Sequence, residues 1–315
     1  MYPSWGRDVG SEIGMVEARW ILGLSGLGEL GSIAPLEGGW DNTSVLLTLA
    51  DGGELVLKAW HANTVEEVHR VIERHLHLDS HGIPTPVPIM LEEGMLVEKD
   101  GVAWTLLPYF TGGQLGSDEE SLRSLGEIQA MMHGIPTRDC FPEIYTMGFN
   151  LFDEVLEIGG QWTDHPFLAI LSEEGGSLRE RMPSRLPNGI LHGDLFPDNV
   201  IGSEGRVSAI LDLEEAWIGP LAFDLAMSFV GFGWEEGLPV ESRWRALVEG
   251  YQSVRTLTPD EIAAIPDLHR YATLAIACWR FWKHNISMPD NKLEDRYREM
   301  VDRLEVDIDL GSVFK

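Results

Sequence analysis

The segment His192-Gly193-Asp194-Leu195-Phe196-Pro197-Asp198-Asn199 sets a carboxylate five positions ahead of an amide. A second carboxylate, Asp212, stands 13 residues beyond the amide, between Ala209-Ile210-Leu211 and Leu213. This triple suits phosphoryl transfer, which needs an acceptor for the attacking hydroxyl's proton, oxygen ligands for a divalent cation and positive charge against a triphosphate. Magnesium takes hard oxygen donors and keeps several waters, so one carboxylate and one amide oxygen suffice from the protein. Asp194 is therefore the candidate base, Asn199 the amide ligand and Asp212 the principal metal carboxylate.

The elements that must position these groups follow from the patterning. Val45, Leu47 and Leu49 alternate with Leu46, Thr48 and Ala50, the turn residues Asp51-Gly52-Gly53 follow, and "ELVLKAW" returns. Residues 38–60 thus read as a β-hairpin. An amphipathic helix is expected over 11–30. Another is expected over 64–81 from Val65, Val68, Val71, Ile72, Leu76 and Leu78, stopped by Gly82 and Pro84. Strands are expected around 86–98 and 102–108. Beyond "PYFTGGQ" the pattern is mostly helical, with "DEESLRSLGEIQAMMHGIP" acidic in its first turn and closed by Gly-x-Pro. "GILHGDLFPDNVIGSEGRVSAILDLEEAW" interrupts it as strand, loop, strand, turn, strand, and 221–310 returns to helix. The fold class is α+β, with a small β-rich N-terminal lobe over 1–108 and a larger, mainly helical C-terminal lobe over 109–315.

Composition narrows the partners. In 315 residues, 23 Lys and Arg stand against 51 Asp and Glu, a formal charge of −28. Such a surface repels phosphate backbones and anionic bilayers, so neither nucleic acid nor membrane is an expected partner. Only five of the basic residues are Lys, which makes a Lys within a strand conspicuous. The two cysteines, Cys140 and Cys278, lie in no metal-ligand spacing and fit a reduced compartment. The first thirty residues lack a basic start followed by an apolar stretch. No apolar run reaches the roughly 18 residues of a membrane span. A cytoplasmic location is expected. His77 and His81 lie four apart but no third ligand follows by spacing. Neither a Walker GxxxxGK[ST] loop nor a G-x-S-x-G elbow occurs.

The H-G-D-x-x-x-x-N pattern followed by "ILD" resembles the aminoglycoside phosphotransferase and choline kinase superfamily, the small-molecule relatives of protein kinases. The resemblance covers residues 36–300. Gly193 replaces the usual Arg of protein kinases, Asp212-Leu213-Glu214 replaces D-F-G, and no A-P-E segment follows, which favours the small-molecule branch. The resemblance implies a protein-kinase-like bilobal fold, ATP and Mg2+ as cofactors, and a small-molecule hydroxyl acceptor. It implies that Lys58 contacts the α- and β-phosphates, with Glu67 as its carboxylate partner and Glu66 or Glu73 as alternatives. Gly38-Gly39-Trp40-Asp41-Asn42 is similar to the family's nucleotide loop. Main-chain groups at Pro108-Tyr109-Phe110 would receive the adenine. Asp224 in "GPLAFDLA" would brace the catalytic loop, and His133 would be structural.

Two stretches resemble the homoserine kinase branch: "HGDLFPDNV" and "ACWRFWKHN", residues 277–285. The resemblance therefore favours homoserine or a related amino-acid alcohol as acceptor. "DLEEA" is more similar to the choline and aminoglycoside branches, so choline, ethanolamine and aminoglycosides stay open, as does a non-catalytic nucleotide-binding module. A zwitterionic acceptor needs a cation for its carboxylate, for which Arg280 is the candidate. Trp279, Phe281 and Trp282 either pack the helical core or line the acceptor pocket. The Glu214-Glu215 pair either faces a cationic acceptor or is structural.

Overall fold

A computed structural model describes residues 13–36, 42–162 and 165–314. In it the chain forms two compact units, Met1–Gly112 with Ser208–Leu211, and Gly113–Val207 with Asp212–Lys315.

In the first unit, helix α1 (Met15–Ser25) is closed by Gly26 in the left-handed conformation. Strands β1 (Leu30–Pro35), β2 (Thr43–Leu49) and β3 (Glu54–Trp60) lead to helix α2 (Val65–Asp79), then to β4 (Val97–Lys99) and β5 (Val102–Pro108). The five strands form one antiparallel sheet in the order β1-β2-β3-β5-β4. Alternation along β3 sorts its side chains between two faces. Leu55, Leu57 and Ala59 join Leu47, Leu106 and the α1 residues Ala18, Ile21 and Leu22 in one core. Trp60 packs on the opposite face with Ala103 and the α2 residues Val68, Val71 and Ile72. Lys58, two positions before Trp60, shares that second face. Fully burying side chains such as Leu47 and Leu57 contributes about 1.5–3 kcal/mol each.

The expected strand at 86–98 is reduced to β4. Pro84, Pro86 and Pro88 fall at alternate positions and remove every second donor, so a ladder cannot run through them. The segment is instead tied down by Ile89 N–H to Leu106 O and by a Leu91–Gly94 bridge. The sequence pattern also passes over β1, whose register with β2 runs from Leu30–Leu49 to Pro35–Val45.

The second unit opens with β6 (Gly113–Gln114) and helices α3 (Glu119–His133), α4 (Phe149–Trp162) and α5 (Pro166–Arg181). Strands β7 (Asn188–Leu191), β8 (Val200–Ser203), β9 (Arg206–Ile210, whose residues from Ser208 on belong to the first unit) and β10 (Trp217–Pro220) follow, then α6 (Ala222–Phe232), α7 (Glu241–Val254), α8 (Pro259–Phe281) and α9 (Arg298–Leu304). β7 pairs with β10, Leu191 opposite Trp217, and β8 pairs with β6, Gly202 opposite Gly113. The loop from His192 to Asn199 is thus pinned at both ends by short ladders. A capping box between Thr258 and Glu261 starts α8, and a π-helical turn, Trp282–Ser287, continues from its end.

α3 and α7 cross at two glycines. A Cβ on Gly126 would lie 2.1 Å from Leu247 O, and one on Gly250 would lie 2.0 Å from Arg123 O. Only hydrogen at both positions allows the two backbones to approach this closely.

Candidate active site

The catalytic loop is built by its own backbone and by α6. Phe196 N–H donates to Asp194 O at 3.0 Å, and Asn199 N–H donates to Phe196 O at 2.9 Å, closing the 3₁₀ turn Pro197–Asn199. The Asn199 amide NH₂ donates to Asp194 O at 2.7 Å and to Asp194 Oδ2 at 3.1 Å. Its amide group is thereby oriented, which leaves Oδ1, a hard oxygen, as the donor atom for a cation. Asp194 N–H donates to His192 Nδ1 at 3.3 Å.

The Asp194 carboxyl is held well above its ordinary range, first by burial, then by the charges of Glu215, Asp198 and Asp212, with the Asn199 bond acting in the opposite sense. The same interactions place Asp212 within electrostatic reach of Asp194. Asp212 itself is half-buried and adopts φ +54°, a left-handed conformation that a non-glycine residue occupies at a cost. Asp194, Asn199 and Asp212 are therefore brought together. An oriented amide oxygen and the Asp212 carboxylate are hard oxygen donors of the kind a divalent cation such as magnesium takes. Among the described residues no group of three or more His, Cys, Asp or Glu side chains is arranged to hold a metal. An Asp–Asn pair fits an ion that takes its remaining ligands from phosphates and water. His77 and His81 do not form a metal pair: His81 Nδ1 bonds the His77 carbonyl at 2.8 Å.

Asp224, on the first turn of α6 and fully buried, accepts His192 N–H at 2.7 Å through Oδ2 and Gly193 N–H at 2.9 Å through Oδ1. His133 Nε2 lies 3.3 Å from Asp224 Oδ2, and His133 Nδ1 bonds the Tyr251 hydroxyl at 2.7 Å. Arg255 donates to that hydroxyl at 3.0 Å and to both oxygens of fully buried Glu261 at 2.9 and 3.1 Å. Gly193 has φ +82°, and a Cβ there would lie 2.7 Å from Glu215 O, so the position accepts only glycine without rearrangement.

In the first unit, Lys58 faces Ser44 and Thr105 across the sheet, with its ammonium 3.7 Å from the Trp60 ring centre. Glu67 Oε2 accepts Thr64 N–H at 2.7 Å and Thr64 O–H at 2.9 Å. Through this oxygen Glu67 closes the capping box of α2. Glu66 pairs with Arg70 at 2.6 Å. Asn42 accepts Ala62 N–H at 3.2 Å and donates to Asn63 at 3.1 Å, linking the start of β2 to the loop after β3. Pro108 ends β5, and the half-buried Tyr109 and Phe110 follow it outside any helix or strand. Gly38 and Gly39 lie outside the described residues.

Residues 32–257 match the phosphotransferase enzyme family. The chain belongs to that family. A homoserine kinase of Methylobacillus flagellatus is 28% identical over 278 residues, covering 84% of this chain and 82% of the relative. A homoserine kinase of Allorhizobium ampelinum is 28% identical over 289 residues, covering 86% and 87%. Among solved structures, an amicoumacin kinase in complex with AMP-PNP, Ca2+ and Ami superposes with a TM-score of 0.72 at 14% identity, covering 95% of this chain and 98% of that one. The fold is thus that of the protein-kinase-like phosphotransferases. This phosphotransferase is an ATP-dependent small-molecule kinase whose acceptor carries a hydroxyl group.

The phosphotransferase also uses residues that the sequence pattern does not single out. The Tyr145 hydroxyl donates to Gly193 O at 2.8 Å, and its ring stacks on Trp217 with centroids 5.2 Å apart. Burial, then Asp194 and Glu215, push this phenol well above its ordinary range, so it stays a donor. Thr146 donates to Glu215, which gives one member of the acidic pair a structural bond. Tyr145 lies in a stretch without periodicity, and no local signal marks it. Phe281 belongs to the core, packed on Phe167 and Tyr297 at 4.7 and 5.4 Å. Among the described residues no helix is long and apolar enough to cross a membrane. Both cysteines are free and buried.

Proposed function

We propose that the acceptor is homoserine and that Asp194 receives its hydroxyl proton. The observation that carries this reading is the near-full-length similarity to homoserine kinases, joined to a catalytic loop whose base and amide are hydrogen-bonded to each other. In the reaction the acceptor oxygen forms a bond to the γ-phosphorus of ATP as the bond to the ADP oxygen breaks. The hydroxyl proton passes to Asp194 and then to solvent. Positioning of that hydroxyl by the half-buried carboxylate matters as much as its basicity, because a loose transition state asks little of a base.

Mg2+ is the cation that the donor set fits, with Asn199 Oδ1 and the Asp212 carboxylate as protein ligands; when bound it neutralises charge on the phosphates. Lys58 supplies further positive charge to the α- and β-phosphates. Gly38, Gly39 and Asn42 belong to the nucleotide loop, and the main chain at Pro108, Tyr109 and Phe110 takes the adenine. Nucleotide binding is thus assigned to residues 1–108 and acceptor binding to 109–315, in a cytoplasmic enzyme.

An ADP-release assay over homoserine, choline, ethanolamine and kanamycin with Mg2+-ATP tests the reading. Homoserine is expected to give a kcat/KM about 100-fold or more above the others, the scale on which a buried polar recognition site discriminates. Preference for choline, ethanolamine or an aminoglycoside refutes it. Stabilisation by Mg2+-ATP without turnover of any hydroxyl compound would instead mark a nucleotide-binding module.

A further inference from the structure

We propose that Tyr145 is a positioning residue for Asp194, its hydroxyl fixing the peptide that leads into the catalytic carboxylate. This rests on Asp194 being the proton acceptor, as proposed above, and adds the group that aims it.

The need arises at Gly193. Glycine has the greatest backbone freedom of any residue, and this one, at φ +82°, stands immediately before Asp194. Rotation of the Gly193–Asp194 peptide would re-aim the Asp194 side chain. Both polar groups of the glycine are held from outside the loop. Its N–H donates to Asp224 at 2.9 Å, and its carbonyl accepts the Tyr145 hydroxyl at 2.8 Å. The second bond is the more direct restraint on Asp194, because that carbonyl shares one peptide unit with the Asp194 N–H. The N–H itself reaches His192 Nδ1 at 3.3 Å, a longer bond made within the loop. The peptide after Asp194 is secured by the loop's own groups, since Asp194 O accepts the Asn199 amide at 2.7 Å and Phe196 N–H at 3.0 Å. The peptide before it is secured by Tyr145.

Tyr145 is in turn held in place for this bond. It lies between α3 and α4 and is 4% exposed. Three residues earlier, Pro142 O accepts Ile218 N–H at 2.7 Å, which docks the segment on β10. The Tyr145 ring stacks on Trp217 of β10 with planes 19° apart and meets Phe223 edge-on at 5.1 Å. Trp217 stands opposite Leu191, the last residue of the strand that leads into His192. The base of the loop and the residue that pins it therefore share one packing unit. Packing against Trp217 and Phe223 asks only for a ring; the hydroxyl serves Gly193. The next residue acts on the same place. Thr146 O–H donates to Glu215, whose main-chain oxygen lies 2.7 Å from where a Cβ on Gly193 would stand.

Tyr145→Phe keeps the ring and removes the bond. In the ADP-release assay, with the acceptor preferred in the panel above, this variant is expected to lower kcat by about 10- to 100-fold, the scale on which a small misplacement of a reacting group acts. The KM for ATP and the affinity for Mg2+-ADP should stay within about twofold. Asp194→Asn separates aiming from a general loss of packing. Without the carboxylate there is nothing to aim, so adding Tyr145→Phe to Asp194→Asn should change the single-turnover rate by less than about twofold. Enzyme in excess over ATP keeps that slow rate measurable. A kcat for Tyr145→Phe within about twofold of the wild type, or the same fold loss in both backgrounds, overturns the positioning role and leaves Asp194 as the base. An equal fall in nucleotide affinity also overturns it, because that marks a disturbed fold. An Asp194→Asn enzyme with undiminished kcat refutes the base, and the positioning role with it.

Discussion

The side chain of Asp224 accepts the main-chain N–H of His192 at 2.7 Å from 32 residues further along the chain. Through this bond and its twin to Gly193, the first turn of α6 holds the entrance of the catalytic loop. Behind Asp224 stand His133 from α3, Tyr251 and Arg255 at the end of α7, and Glu261 from α8. Four helices are therefore joined through one buried polar chain, and a fully satisfied chain of this kind specifies a single arrangement.

Replacing Asp224 by Asn should be severe. The carboxylate accepts two N–H donors with two oxygens; an amide keeps one acceptor and turns a donor toward the other N–H. Leaving a buried donor unpaired costs about 1–3 kcal/mol. The expected outcome is a lower midpoint in thermal unfolding together with a reduced kcat, read from melting curves and steady-state kinetics. Unchanged stability would mean that the clamp is dispensable.

Asp194→Asn and Asp212→Asn should separate chemistry from nucleotide binding. Loss of the proton acceptor is expected to lower kcat by about 10²–10⁴-fold, with nucleotide affinity retained. Asp212→Asn should instead weaken Mg2+-dependent nucleotide binding, measured by thermal shift with and without the cation. Equal loss of affinity in the two variants would contradict the assignment.

Gly126→Ala and Gly250→Ala should each destabilise the protein, although alanine is the better helix former by about 1 kcal/mol. The added methyl group meets carbonyl oxygens at 2.1 and 2.0 Å, so α3 and α7 must move apart. Overpacking of this kind costs about 1–3 kcal/mol. The double variant should lose less than the sum, because one separation of the helices relieves both clashes. Denaturant unfolding of the three variants checks this.

His269 makes acid stability a readable property. Its imidazole is 5% exposed, and burial, then the charges of Arg303 and Arg270, lower its pKa to about 3. Unfolded, it titrates near 6.5. Between these values the unfolded chain binds a proton that the folded chain refuses, so the folded state loses stability as pH falls below 6.5, and this loss ends near pH 3. The slope approaches about 1.4 kcal/mol per pH unit for one such group. His269→Gln should flatten the dependence of unfolding free energy on pH between 6 and 4. An unchanged slope would show that His269 is not its source.

Much of the site was legible in the sequence because phosphoryl transfer needs particular side chains at fixed local spacing. Asp194 and Asn199 lie on one short loop, so their separation in sequence is already their geometry. Asp224 could be read because its stretch recurs among related kinases. Tyr145 and the glycines of the α3–α7 crossing could not be read, since their partners are 48 and 124 residues away and no local pattern encodes a distant contact. The family resemblance assigns Glu67 to Lys58, and a second, local demand on it goes unread. Its place three residues after Thr64 makes a capping box, and the structure satisfies that local demand. The alternate prolines after α2 ought to have shortened the expected strand at 86–98, because ladder hydrogen bonds need the donors that proline lacks.

Gly193 has a further consequence for control of the enzyme. Protein kinases commonly carry arginine at the equivalent place, and an arginine can grip a phosphorylated segment and so couple turnover to covalent modification. Here the positive φ and the nearby Glu215 carbonyl leave no room for such a guanidinium. The loop is held by internal bonds from Asp224 to His192 and Gly193, so a phosphate-operated latch through residue 193 is structurally closed to this enzyme.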